Sequence, residues 1–104
     1  MRHIPFRELR ATLKLAQVQT ALLLAVPGMA WTNNDYALMF VMDEMWRKEI
    51  NPTHKRMVGI VGAYLRFYKR MIEKLPDNEF KTNIKAEYDK LSEPYKDLLE
   101  EKTA

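Results

Sequence analysis

Between Pro52 and Pro76 lies the stretch that most narrows what this chain can become. From Thr53 to Leu75 apolar residues recur at helical spacing without a break. On a wheel of about 100° per residue, Met57, Val58, Val61, Tyr64, Leu65, Tyr68, Ile72 and Leu75 share one half with Ile60, Phe67 and Met71. Lys55, Arg56, Gly59, Gly62, Ala63, Arg66, Lys69, Arg70, Glu73 and Lys74 fill the other half. Thr53 is a fitting N-cap and Pro76 a terminator, so the spacing predicts a helix over 53–75. A helix with so wide an apolar half needs other helices around it, and no segment of the chain alternates as a strand does.

Punctuation at Pro27-Gly28, Asn51-Pro52, Pro76-Asp77-Asn78 and Ser92-Glu93-Pro94 sets the other boundaries, giving expected helices at about 5–26, 34–49, 78–91 and 93–101. The expected fold is therefore all-α, a single-domain bundle spanning 1–104 with four main helices and a short C-terminal one. The expected core is the second and third helices packed on one stripe of the first. At 104 residues, 47% of them hydrophobic and 30% charged, the chain is long enough for one self-sufficient core and too apolar to be disordered.

The first segment carries one apolar stripe too many. Phe6, Leu9, Leu13, Ala16, Thr20, Leu23 and Leu24 form one face, while Ala11, Leu15, Val18, Leu22 and Val26 form a second on the opposite side. Such a helix either runs through the middle of its fold or buries its second face against a partner or another copy of the chain. Leu38, Met39, Val41, Met42, Met45 and Trp46 cover most of the second segment, with Asp43, Glu44 and Arg47 on a narrow polar edge, which reads as a buried hairpin partner of the first helix. Its methionines suit either core filling or an adaptable binding surface. The fourth segment, with Phe80, Ile84, Tyr88 and Leu91, reads as a peripheral amphipathic helix. Tyr95, Leu98 and Leu99 belong to the short fifth helix, and 100–104 should fray.

Chemistry is constrained by scarcity. With no cysteine, one serine (Ser92), two histidines (His3 and His54) and three glycines, the chain cannot assemble a thiolate site, a Walker loop or a GxGxxG turn. His54 with Asp43, Glu44 or Glu49 has no metal-ligand spacing, so no catalytic residue, metal, cofactor or small-molecule substrate is expected. No apolar run is long enough to span a membrane. Arg2, Arg7, Arg10 and Lys14 before an apolar stretch ending in Gly28-Met29-Ala30 resemble a processing signal, but the basic part is too long and Gln17, Gln19 and Thr20 interrupt the rest. The expectation is an uncleaved cytoplasmic protein.

Charge is uneven. Residues 1–75 hold 12 Lys+Arg and 6 Asp+Glu, whereas 76–104 hold 5 and 8. On the third helix Lys55, Arg56, Arg66, Arg70 and Lys74 form a row about 30 Å long at a rise of about 1.5 Å per residue, suited to phosphates, to an acidic partner or simply to solvent. Gly59 and Gly62 on the same side invite close approach by another helix or by a nucleic-acid backbone.

Gly62-Ala63-Tyr64-Leu65-Arg66-Phe67-Tyr68-Lys69, followed by Pro76-Asp77, Phe80, Lys90-Leu91-Ser92 and Pro94-Tyr95, resembles parts of an HMG box, a minor-groove DNA-bending module. The sequence departs from that pattern in three places. Tyr88 stands, too close to Phe80, where a tryptophan is expected, the charged stretch after Ser92 is largely missing, and the helix starts well before the motif. The resemblance implies minor-groove DNA binding and is not adopted; the alternative role, nucleic-acid binding, rests on the basic face of the third helix meeting phosphates, and the residues favour a non-enzymatic, regulatory interaction protein acting through protein contacts.

Overall fold

A computed structural model describes residues 3–29 and 31–101, excluding the side chains at 98, 100 and 101. The order is α1 (Phe6–Leu24), α2 (Asn33–Arg47), α3 (His54–Glu73), α4 (Glu79–Ser92), a 3-10 turn (Glu93–Tyr95) and α5 (Lys96–Glu101), with no strand among the described residues. The all-α expectation holds, with each main helix within about two residues of its expected ends. Of the expected fraying, Glu100 and Glu101 are helical and 102–104 lie outside the described residues, as does Ala30.

Local chemistry explains the ends. Thr32 caps α2 in a full capping box: its hydroxyl accepts from the Asp35 amide and the Asp35 carboxylate accepts from the Thr32 amide. Thr53 and Asn78 cap α3 and α4 by accepting from the amides of Arg56 and Lys81. Gly28, at φ 80°, makes the left-handed step after Pro27 that a residue with a Cβ resists.

Cross-links fix the directions. At one end the His54 ring nitrogen Nε2 donates to the Ile4 carbonyl at 2.6 Å, bringing the starts of α1 and α3 together. At the other end Lys74 bonds Asp35 at 2.7 Å, and the Tyr36 hydroxyl donates to the Leu24 carbonyl at 3.3 Å. Thus α1 and α3 run side by side in the same direction, and α2 returns antiparallel. The chain then reverses into α4, where Gln19 reaches Glu87 at 3.3 Å, and the buried Tyr95 hydroxyl donates to Thr12 at 2.9 Å.

The core corrects the sequence reading. It is α3 and α1, with Tyr88 and Tyr95 added from the C-terminal part; of α2 only Asp35 is buried. The reason lies in the arcs. On α3 the buried residues extend beyond half of the wheel and include Gly62, so α3 is the helix that neighbours surround. On α1 the fully buried Ala16 and Thr20 are small enough to let it close on α3. The apolar residues of α2 are spread around its circumference, so no rotation could bury them all. Leu38, Met39, Met42 and Trp46 lie half-buried on the core, while Phe40, Val41 and Met45 face solvent. α2 is therefore a covering helix rather than the buried partner of α1. The α4 reading holds: Tyr88 is buried, Ile84 and Leu91 are half-buried, and Phe80 is exposed.

Candidate interaction surface

The second stripe of α1 is not covered by its own chain, so α1 is not a central helix. Leu15, Val18 and Leu22 are 49%, 50% and 63% exposed, Ala11 is exposed and Val26 is half-buried. Burying one such half-exposed side chain would contribute about 1 kcal/mol, half the value of a complete transfer from water. On α2 the outward residues Phe40, Val41 and Met45 are 65%, 55% and 44% exposed.

The two helices form one side of the molecule. Gln17 of α1 donates to Asp43 of α2 at 3.2 Å, and the Tyr64 hydroxyl of α3 donates to the same carboxylate oxygen at 2.7 Å. This three-helix junction pushes the Tyr64 phenol well above its ordinary pKa, first through burial and then through the adjacent carboxylate. Beside it, Val18, Ala21, Trp46 and Arg47 line a groove between α1 and α2. Arg47 also lines a neighbouring depression with Phe40, Val41, Glu44 and Met45, joining the two apolar areas. The charges on this side cluster at one end. Arg7, Arg10 and Lys14 are exposed early on α1, and Arg47 and Lys48 close α2, both reaching Glu44, at 3.3 and 3.8 Å.

The basic row on α3 is less open than its spacing suggests. Arg56 is paired with Glu49, and Lys74 is held by buried Asp35. Arg66 is half-buried, its Nη1 enclosed and without a hydrogen-bond partner among the described residues. Lys55 and Arg70 remain exposed with no ion pair among the described residues. Gly59 and Gly62 separate in role: a Cβ at Gly59 would meet open space, while Gly62 is buried and belongs to the packed arc.

Three features had no sequence signal: the Gln17–Asp43–Tyr64 junction, the Asp35–Lys74 pair and the stack of His3 on His54 at 4.4 Å. The one serine, Ser92, is buried and donates to the Asp89 carbonyl at 3.5 Å. No group of three His, Asp or Glu side chains among the described residues could hold a metal ion, and no described helix is long and apolar enough to cross a membrane. No family model matches this chain, and no curated protein or solved structure matches it either, so the likeness to an HMG box extends no further than the residues that carry it.

Proposed function

We propose that this protein is a non-enzymatic interaction module that docks another polypeptide on the side formed by α1 and α2, with Ala11, Leu15, Val18, Leu22 and Val26 as the centre of contact. The observation that carries the reading is the exposed apolar stripe of α1 joined through the Val18–Trp46 groove to the exposed apolar residues of α2. Scattered surface hydrophobes are ordinary; an apolar strip along about three turns of one helix, extended onto its neighbour, is the mark of an interface. In this reading the role is regulatory and the location cytoplasmic.

Phosphate binding along α3 is the alternative, and it is weaker because two of the five row residues are tied to carboxylates. The test is a photo-crosslinking side chain at Val18 or Phe40, with Glu79 on α4 as control, in cells that make the protein. Protein adducts at the first two positions and none at the third support the reading. Adducts to nucleic acid, or none at Val18 and Phe40, overturn it.

A further inference from the structure

We infer that the occupant of the α1–α2 side is a second copy of this chain, docked face to face with α1 antiparallel to α1 and α2 antiparallel to α2; this rests on the interaction reading above. Three observations converge on it: register, charge and area.

Register comes first. A two-fold axis lying in the interface and crossing both helices must meet them at one level, and Gln17–Asp43 defines such a level. The exposed apolar residues of α1, from Ala11 to Leu22, are centred close to Gln17, and Phe40, Val41 and Met45 of α2 are centred close to Asp43. An axis there sets Val18 against its own copy and Val41 against Met45 of the second copy, with Glu44 beside the axis paired to Arg47 and Lys48 of its own chain, so the apolar areas of both helices meet their own copies under one rotation.

Charge selects the direction. Arg7, Arg10, Lys14, Arg47 and Lys48 gather at one end of the surface, while the last turn of α1 holds no basic residue. Glu8 and Glu44 share that end but leave it net positive, so a parallel pair would set like charge against like. An antiparallel pair lays Lys14 near Leu22 of the other copy, toward the carbonyl end of α1, where the helix dipole favours positive charge. The stem of Lys14 can lie along Leu22 with its ammonium in water.

Area is sufficient. The α1 helix of 19 residues is about 28 Å long, and two helices about 9 Å apart make a face about 19 Å wide. That face projects to about 530 Å², and the relief of its side chains brings it to the low end of the roughly 600 to 1,000 Å² that each partner of a stable dimer buries.

The test combines mass with orientation. Sedimentation equilibrium of the wild-type protein should give twice 12.3 kDa at about 100 µM, and Val18→Glu should return it to the single mass with an unchanged helical circular dichroism spectrum. Because the chain lacks cysteine, orientation can be read by mild oxidation. Val18→Cys should cross-link to itself. Lys14→Cys alone should not, but mixed with Leu22→Cys it should form the mixed disulfide at least tenfold faster than Lys14→Cys forms its own, since both positions are exposed beside Val18 and a bond needs Cα atoms within about 7 Å. Self-linking of Lys14→Cys would mean a parallel pair and overturn the inference. A wild-type protein that stays at the single mass overturns it as well. In that case Val18 adducts to a different protein preserve the interaction reading. Val18-dependent flotation with anionic phosphatidylglycerol vesicles would instead give the face to lipid, and the absence of all of these removes both ideas.

Discussion

Replacing Asp35 by Ala should destabilise the protein by about 2 kcal/mol at neutral pH. Two losses make up that figure. The capping box disappears, since Oδ2 accepts from the Thr32 amide at 2.9 Å and from its hydroxyl at 3.1 Å; an N-terminal cap of this kind is worth about 1 kcal/mol. The bond from Lys74 at 2.7 Å also goes; because the Lys74 side chain is 43% exposed, solvent limits that term to about 1 kcal/mol. With an unfolding entropy of about 2.1 cal/mol/K per residue, 2 kcal/mol lowers the Tm by roughly 9 °C. The pH dependence has a definite sign. The hydrogen bond from Lys74 is the largest cause holding the Asp35 carboxyl below its ordinary value of 3.8; burial opposes it and the bonds from Thr32 assist. A depressed folded value contributes stability above 3.8 that is lost as pH falls through the folded pKa, so the gap between wild type and Asp35→Ala should be constant from pH 7 to about 5 and narrow below 3.8. Urea melts across this range measure it, and amide exchange should show α2 loosening first. Lys74→Met should cost almost nothing in the Asp35→Ala background. A gap that does not change down to pH 2, or a Lys74→Met cost unaffected by Asp35, would refute the charged latch.

Further outcomes follow from burial and satisfaction. Tyr95→Phe strands the buried Thr12 hydroxyl and should cost about 1–2 kcal/mol by urea melt. Tyr68→Phe removes a buried hydroxyl that has no hydrogen-bond partner among the described residues and should be neutral or stabilising. Burial pushes that Tyr68 phenol up to about 12, so its absorbance change should be missing from an alkaline titration of the folded protein that stops at pH 11. Leu65→Ala, in the fully buried core, should cost about 2–5 kcal/mol, whereas Phe40→Ala should change stability by less than about 0.5 kcal/mol yet weaken association. Mixed-sequence DNA and RNA should show no gel shift at about 50 mM salt, a condition that exaggerates phosphate contacts. A shift abolished by Arg66→Glu with Arg70→Glu would instead establish the α3 row as a phosphate site.

Legibility followed the range of the information. Helix existence and ends were readable because Thr53, Asn78, Pro27 and Pro76 act within a turn of themselves. The two stripes of α1 were readable because periodicity reports a helix's own circumference. Which helix becomes the centre was not, since that depends on the competition between arcs: α2 looked more apolar than it could ever bury, and α3 had the continuous arc. Lys74 read as part of a basic row, correct locally, yet its bond to Asp35 joins residues 39 apart in the chain and leaves no local pattern. The Tyr95–Thr12 bond, 83 residues apart, is hidden for the same reason.

The anchoring of α2 bears on why its apolar face points outward. Apolar packing alone gives no reason to leave Phe40 65% exposed while Met39 and Met42 lie against the core, because turning the helix would exchange one apolar set for another at little cost. Polar bonds break that degeneracy. Asp35 and Asp43 sit two turns apart and are held at 2.7 Å by Lys74, the C-cap of α3, and by Tyr64 within it. A rotation large enough to bury Phe40 would pull both carboxylates off their donors and strand Tyr64, whose burial makes an unpaired hydroxyl costly. The same two bonds fix the level at which Gln17 meets Asp43, and thus the alignment of the two exposed apolar areas. Directional contacts to carboxylates specify a rotation and a register that dispersion forces leave open, and those are the two quantities a docking face must have set before its partner arrives.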